Sequence, residues 1–183
     1  MIRKMLVLGL LMLTLAHSTL AGEGARVLQA KGSPQALKSL NQAQGEVLTV
    51  GMQVAEGAIL RTGVGDFLAL ELADGSSLKI AASTTVQLRE SKAADPARGE
   101  DRVVRLKLFV GRILAKVKKA MSRQSTFNIE GSNAVCGVRG TTVSGSTGPE
   151  GDEFCNYEGT IEVDSGKGPR DVPPGPTVSP TGW

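Results

Sequence analysis

Aromatic side chains are scarce in this sequence: Phe, Trp and Tyr together make up 3% of its 183 residues. That disfavours modules that stack bases on exposed rings, and many sugar binders with them. A core made from this chain is mostly Val, Leu, Ile and Ala. Histidine is scarcer still, with His17 the single copy. It lies in a segment expected to be removed, so Ser-His-Asp and Cys-His chemistry finds no imidazole. No Gly-x-Ser-x-Gly elbow and no Walker-type loop occurs. Ser76 and Lys79 spell Ser-x-x-Lys, but in a strand those two positions point to opposite faces. Glu150, Asp152 and Glu153 sit in a Gly-Pro loop without calcium-loop spacing and read as solvated acids. No cofactor is called for, and a non-enzyme is the expectation.

Long hydrophobic runs are also missing, apart from the first residues. Arg3 and Lys4 precede Met5–Ala16, a run of 12 residues in which Thr14 alone is polar. A membrane span needs about 20 apolar residues, so this run is too short for a comfortable anchor. Thr19 and Ala21 supply the small residues a leader peptidase inspects, and residues 1–21 read as a signal peptide cleaved after Ala21. An uncleaved anchor is the alternative. No Cys follows the run, so a lipoprotein is excluded. Without Arg3 and Lys4 the net charge of +3 falls to +1.

Cysteine is limited to Cys136 and Cys155. In an oxidising compartment a disulfide is the default for such a pair, closing a loop of about 20 residues worth around 3 kcal/mol. Two buried free thiols are the other reading. A metal would need further soft ligands that the chain lacks.

What the sequence does have is glycine. Six short segments open on one, at Gly45, Gly57, Gly75, Gly111, Gly140 and Gly159, with no fixed period between them. A glycine at a turn followed by a β-branched run is a strand signal. The expected fold is all-β: one domain of many short strands with β-solenoid or sandwich-like coiling, spanning residues 22–166. Its clearest element is Phe67–Ile80. Asp74-Gly75 marks a reversal, and only a three-residue loop, Ala73 to Gly75, pairs Leu70 with Leu78 and Leu68 with Ile80 on one face. Residues 89–102 read as a charged, solvated loop. Residues 167–183, rich in proline, read as a flexible tail.

Residues 102–123 are ambiguous. Leu106, Val110, Ile113, Val117 and Met121 fit one helical face, whereas Val104, Leu106 and Leu108 alternate as in a strand, with Ile113, Ala115 and Val117 resuming after Gly111. β-branching and the central glycine favour two strands. Nine basic residues lie between Arg98 and Arg123, and seven acids between Glu150 and Asp171. Either these are solvated faces of opposite sign, or Arg112, Lys116, Lys118, Lys119 and Arg123 contact an envelope polyanion such as lipopolysaccharide or an acidic glycan. Export and the missing aromatics disfavour nucleic acid.

Three stretches are distinctive: Gly51-x-x-Val-x-Glu-Gly-x-x-Leu-x-Thr-Gly63, Leu-x-Leu-x-Asp-Gly-Ser over Leu70–Ser76, and Gly-Val-Arg-Gly-Thr over Gly137–Thr141. With Gly-x-Ile-x-Val at Gly159–Val163 they resemble the FecR domain, the periplasmic module of regulators of the ferric-citrate type. The likeness spans residues 26–166 and implies a compact all-β domain. Full regulators carry a cytoplasmic sigma-factor-binding segment and a membrane span before this module. Here a leader takes their place, so direct anti-sigma activity is not expected. Asp74, Gly75, Gly137, Arg139, Gly140 and Thr141 carry the motif. Arg139 either forks structurally onto carbonyls or a carboxylate, with Asp74 and Glu162 as candidates, or recognises an anion at a groove floor. The expected function is an exported, non-catalytic envelope module of a Gram-negative periplasm that binds a protein or a glycan, as a signalling accessory. A structural surface protein and a carboxylate-based glycan enzyme are the alternatives, and the oligomeric state is left open.

Overall fold

The hairpin expected from the parity of Phe67–Ile80 is present. In the computed structural model, which describes residues 24–119, 122 and 124–175, Leu70 pairs with Leu78 and Leu68 with Ile80. Gly75 takes the left-handed conformation at φ 74°. Fifteen strands follow one another: β1 (Ala25–Lys31), β2 (Gln35–Leu37), β3 (Glu46–Val47), β4 (Gln53–Val54), β5 (Ile59–Arg61), β6 (Phe67–Leu72), β7 (Ser77–Ile80), β8 (Thr85–Lys92), β9 (Val103–Lys116), β10 (Thr126–Glu130), β11 (Val135–Val138), β12 (Thr142–Gly148), β13 (Gly151–Asn156), β14 (Ile161–Asp164) and β15 (Pro169–Val172). There is no helix among the described residues, so the all-β expectation holds. Gly57, Gly75, Gly140 and Gly159 each stand two residues before a strand.

The strands form two layers that share β9. The front layer runs β15-β14-β11-β10-β9-β8-β5-β2-β3 and the back layer β13-β12-β9-β7-β6-β1-β4. All pairs are antiparallel except β9 with β10. Inward residues of both layers, among them Leu70, Leu78, Leu88, Leu106, Phe127 and Phe154, close one aliphatic core. Strand β9 makes this possible. It is one strand of 14 residues rather than the two strands or the helix that sequence allowed. Its first half pairs with β8 and β10, and its second half with β7 and β12. The inward set shifts from Val104, Leu106 and Leu108 to Ile113, Ala115 and Val117 across Gly111, which bends the strand from one layer into the other. Gly111 has φ 98°, and a Cβ there would stand 2.6 Å from the Thr84 backbone, so only glycine fits the corner.

Three expectations need correction. The charged stretch after Leu88 is not loop until Lys92: β8 continues, because buried Ser91 donates to the Gly24 carbonyl at 2.6 Å. Cross-strand ion pairs such as Arg105–Glu90 at 2.8 Å, with their charges outward, neutralise the surface. The tail after Gly166 is sheet as far as Val172. Pro169 is tolerated as the first residue of an edge strand, where no ladder hydrogen bond is asked of it. The expected signal peptide, residues 1–21, and residues 176–183 lie outside the described residues.

The third correction concerns the cysteines, which are both free. Cys136 points inward from the front layer and is fully buried. Cys155 sits between Phe154 and Asn156, both buried, and therefore faces outward from the back layer. Stacked layers lie about 10 Å apart, so no bridge spans them. Burial pushes the Cys136 thiol up to about 12, which suppresses its thiolate. Native protein is expected to react with a maleimide at Cys155 alone, and at both cysteines after unfolding in guanidinium. Peptide mass mapping reads the result, and two unreactive thiols in unreduced, unfolded protein would restore the bridge.

Candidate functional site

Because β9 folds back at Gly111, its two ends meet at one end of the sandwich. Arg102, just before the strand, donates from Nη1 to the carbonyl of Lys118, just after it, at 2.6 Å. The same nitrogen stands 3.2 Å from Asp74 Oδ2, and both side chains are buried. Asp74 also accepts from the Ser76 amide at 2.9 Å and from the Ser76 hydroxyl at 2.7 Å. Ser76 Oγ in turn accepts from the Lys118 amide at 3.0 Å. An Asp-Gly-Ser turn folds its carboxylate onto its own backbone; here the same carboxylate fastens the β6–β7 hairpin to both ends of β9. Asp74 was one of two candidate carboxylates for a structural fork from Arg139, and Arg102 holds that place instead.

The second motif stretch approaches from the other side. Gly140 packs so closely that a Cβ would lie 2.7 Å from Lys119 Cα. Thr141 accepts the Val117 amide at its carbonyl at 2.9 Å. Its buried hydroxyl bonds Asn156 Oδ1 at 3.1 Å and the Glu158 carbonyl, which ties down the β13–β14 turn. Asp74-Gly75 and Gly140-Thr141 thus converge on Lys118 and Lys119 from two sides. Gly137 does not join them. It lies on the front layer between Asn128 and Glu162, where a Cβ would meet nothing closer than 3.7 Å.

Arg139 is exposed and makes no hydrogen bond or ion pair among the described residues. A structural fork is therefore not its role. It borders a groove of about 660 Å³ that also holds Glu162 and Asp171. Of the expected polyanion contacts, Lys116, Lys118 and Lys119 are exposed at the motif end, Arg112 lies beside the corner at Gly111, and Arg123 is outside the described residues. Neither Lys116, Lys118, Lys119 nor Arg139 is ion-paired among the described residues, whereas Arg89, Arg98 and Arg105 are.

Two residues correct the sequence reading: Arg102, placed in the solvated loop 89–102, and Asp152, read as a solvated loop acid but carried by β13, are both buried, and period two reveals both. Arg102 has the parity of Val104 and Leu106, and Asp152 that of Phe154, so each belongs to a buried face. Asp152 is fully buried, and its carboxylate accepts the amides of Ser132, Asn133 and Ala134 and the Thr147 hydroxyl, at 2.6–2.9 Å.

A family model described as FecR protein matches residues 58–164, more than half of the chain. The chain belongs to the FecR family. No curated protein matches it closely. Two crystal structures of one protein from Parabacteroides distasonis, described as a candidate anti-sigma factor and solved at 1.65 and 2.50 Å, superpose with a TM-score of 0.51 at 16% identity. The superposition covers 65% of this chain and 52% of theirs, so the chain spans about half the length of the structures it matches. At that identity the likeness establishes the shared fold. The FecR match takes in Asp74, Gly75, Arg102, Lys116, Lys118, Lys119 and Gly137–Thr141, so the convergent end of the sandwich lies wholly within the family's segment. No helix among the described residues is long and apolar enough to cross a membrane.

Proposed function

We propose that this FecR-family chain is a non-catalytic binding module, exported to the cell envelope, that serves signalling by docking an anionic face of a protein or glycan partner. The observation that carries this reading is the convergence of two motif stretches on Lys118 and Lys119, beside Lys116 and Arg139, none of them ion-paired among the described residues. Asp74, the acid nearest by sequence motif, is already engaged by Arg102. Cations held on a stiff end and left unneutralised steer and select an acidic partner more than they stabilise the fold. The partial likeness to a candidate anti-sigma factor, over 65% of this chain and 52% of that one, fits a signalling context in which this module supplies the recognition part.

The test is chemical cross-linking and affinity capture from an envelope fraction, comparing the native chain with the Lys118→Glu, Lys119→Glu, Arg139→Glu triple variant. The native chain is expected to retain a defined partner in a salt-sensitive manner. The triple variant should lose it by about tenfold or more at unchanged melting temperature. Identical capture by both proteins would defeat the proposal.

A further inference from the structure

The outward face of the back layer has a trough whose construction differs from the motif end. Its floor is β12, whose outward residues Ser144 and Ser146 are short and hydroxylated. On one side β13 and the turn after it raise Glu153, Cys155 and Tyr157. On the other, β9 and β7 raise Arg112, Leu114 and Lys79, with half-buried Phe67 behind them. The registers make this explicit: Ser146 lies between Glu153 and Arg112, and Ser144 between Cys155 and Leu114. The trough encloses about 480 Å³. Two of the chain's few aromatic rings stand here, and Tyr157 is 55% exposed. Arg112 and Lys79 make no ion pair among the described residues.

We propose that this trough binds a linear glycan carrying carboxylate groups. Walls two strands apart are separated by about 9.5 Å, which admits one extended polymer and excludes an α-helix of about 10–12 Å. A peptide that binds by strand addition needs a free edge, and β12 is paired on both sides and offers none. A glycan needs no backbone ladder. Its hydroxyls meet those of Ser144 and Ser146, with Glu153 as a further acceptor, and a sugar face rests on the Tyr157 ring. Arg112 and Lys79 on the opposite wall receive the carboxylates through charge-assisted hydrogen bonds. This site is separate from the cationic motif end, and either can fail without the other.

Isothermal titration of the full chain with hexagalacturonate, a linear hexamer with one carboxylate per ring, tests the assignment. Binding is expected, weakened about tenfold in Arg112→Gln and in Tyr157→Ala, two exposed positions whose replacement spares the core. Ser146→Leu, which fills the floor, should abolish it, and Lys118→Glu/Lys119→Glu should leave it unchanged. Absence of binding overturns the assignment. So does equal binding of neutral maltohexaose or of hexaglutamate, which would remove the carboxylate or the sugar from the recognition. Equal losses in Arg112→Gln and in the Lys118/Lys119 variant would reduce it to diffuse attraction and overturn it likewise.

Discussion

Replacing Arg102 with methionine is expected to cost about 3–5 kcal/mol of stability, because it strands the buried Asp74 carboxylate without its cation. For a chain of this size that is a fall of roughly 6–20 °C in melting temperature. The loss is larger than for an ordinary surface ion pair, worth about 0–1 kcal/mol, since neither partner reaches water. It is also positional. Arg102 Nη1 joins the hairpin carboxylate to the Lys118 carbonyl, so the variant unfastens the two ends of β9 from each other as well as from β6–β7. Arg102→Lys should lose less than Arg102→Met. All the observed contacts come from one nitrogen, and Nε and Nη2 are buried without a partner among the described residues, so a single ammonium reproduces what is used. Arg139→Lys provides the contrast. That side chain is exposed and unpaired, and its replacement should stay within about 0.5 kcal/mol of the native protein. Thermal unfolding of the three variants reads the order directly. A methionine variant as stable as the native chain, or an Arg139→Lys variant as damaged as Arg102→Met, would refute the assignment of the structural arginine.

The contrast between these two arginines shows where sequence was informative. Alternation across Leu68–Ile80 leaves one register that buries both apolar sets, and the loop length follows from parity alone; that hairpin was legible to the residue. The corner at Gly111 was half legible. The two apolar sets on either side have opposite parity, which marks an irregularity at the glycine, but nothing local says that the chain stays one strand and changes layers. Arg102 and Arg139 differ by what lies across space. A charged residue beside a charged loop looks solvated until a distant Asp-Gly-Ser turn is brought to it, and that approach depends on the bend in β9. The free cysteines fail to pair for a similar reason. Their separation of about 20 residues suits a loop closure, yet opposite-facing positions on different layers cannot be inferred without the topology. The candidate binding end was legible only as its motif stretches; their meeting on Lys118 and Lys119 is a product of the fold.

Asp152 is the sharpest case of a surface-looking acid with an interior task, and its removal has the second large effect. It stands in a Gly-Pro-rich acidic stretch, but its carboxylate oxygens together accept three consecutive amides of the β10–β11 turn and one hydroxyl of β12. The group links the front layer to the back across the core. Gly131 leaves the room it needs, since a Cβ there would come 2.4 Å from the carboxyl carbon. Asp152→Ala leaves the donors of buried Ala134 and Thr147 unanswered at about 1–3 kcal/mol each and takes the acceptor from the part-buried amides of Ser132 and Asn133, so the expected loss is about 3 kcal/mol or more, a large share of a typical stability of about 5–15 kcal/mol. Asp152→Asn should also destabilise. Oδ1 faces the Ser132 amide and the Thr147 hydroxyl, and Oδ2 faces the Asn133 and Ala134 amides, so either orientation of the new amide turns an NH₂ group toward a backbone donor. Denaturant unfolding should place the asparagine variant between native and alanine. Native-state hydrogen exchange should show the amides of Ser132, Asn133 and Ala134 losing protection before those of β9. Full protection of those three amides in Asp152→Ala would mean that another acceptor replaces the carboxylate, and that the turn is held by its own backbone after all.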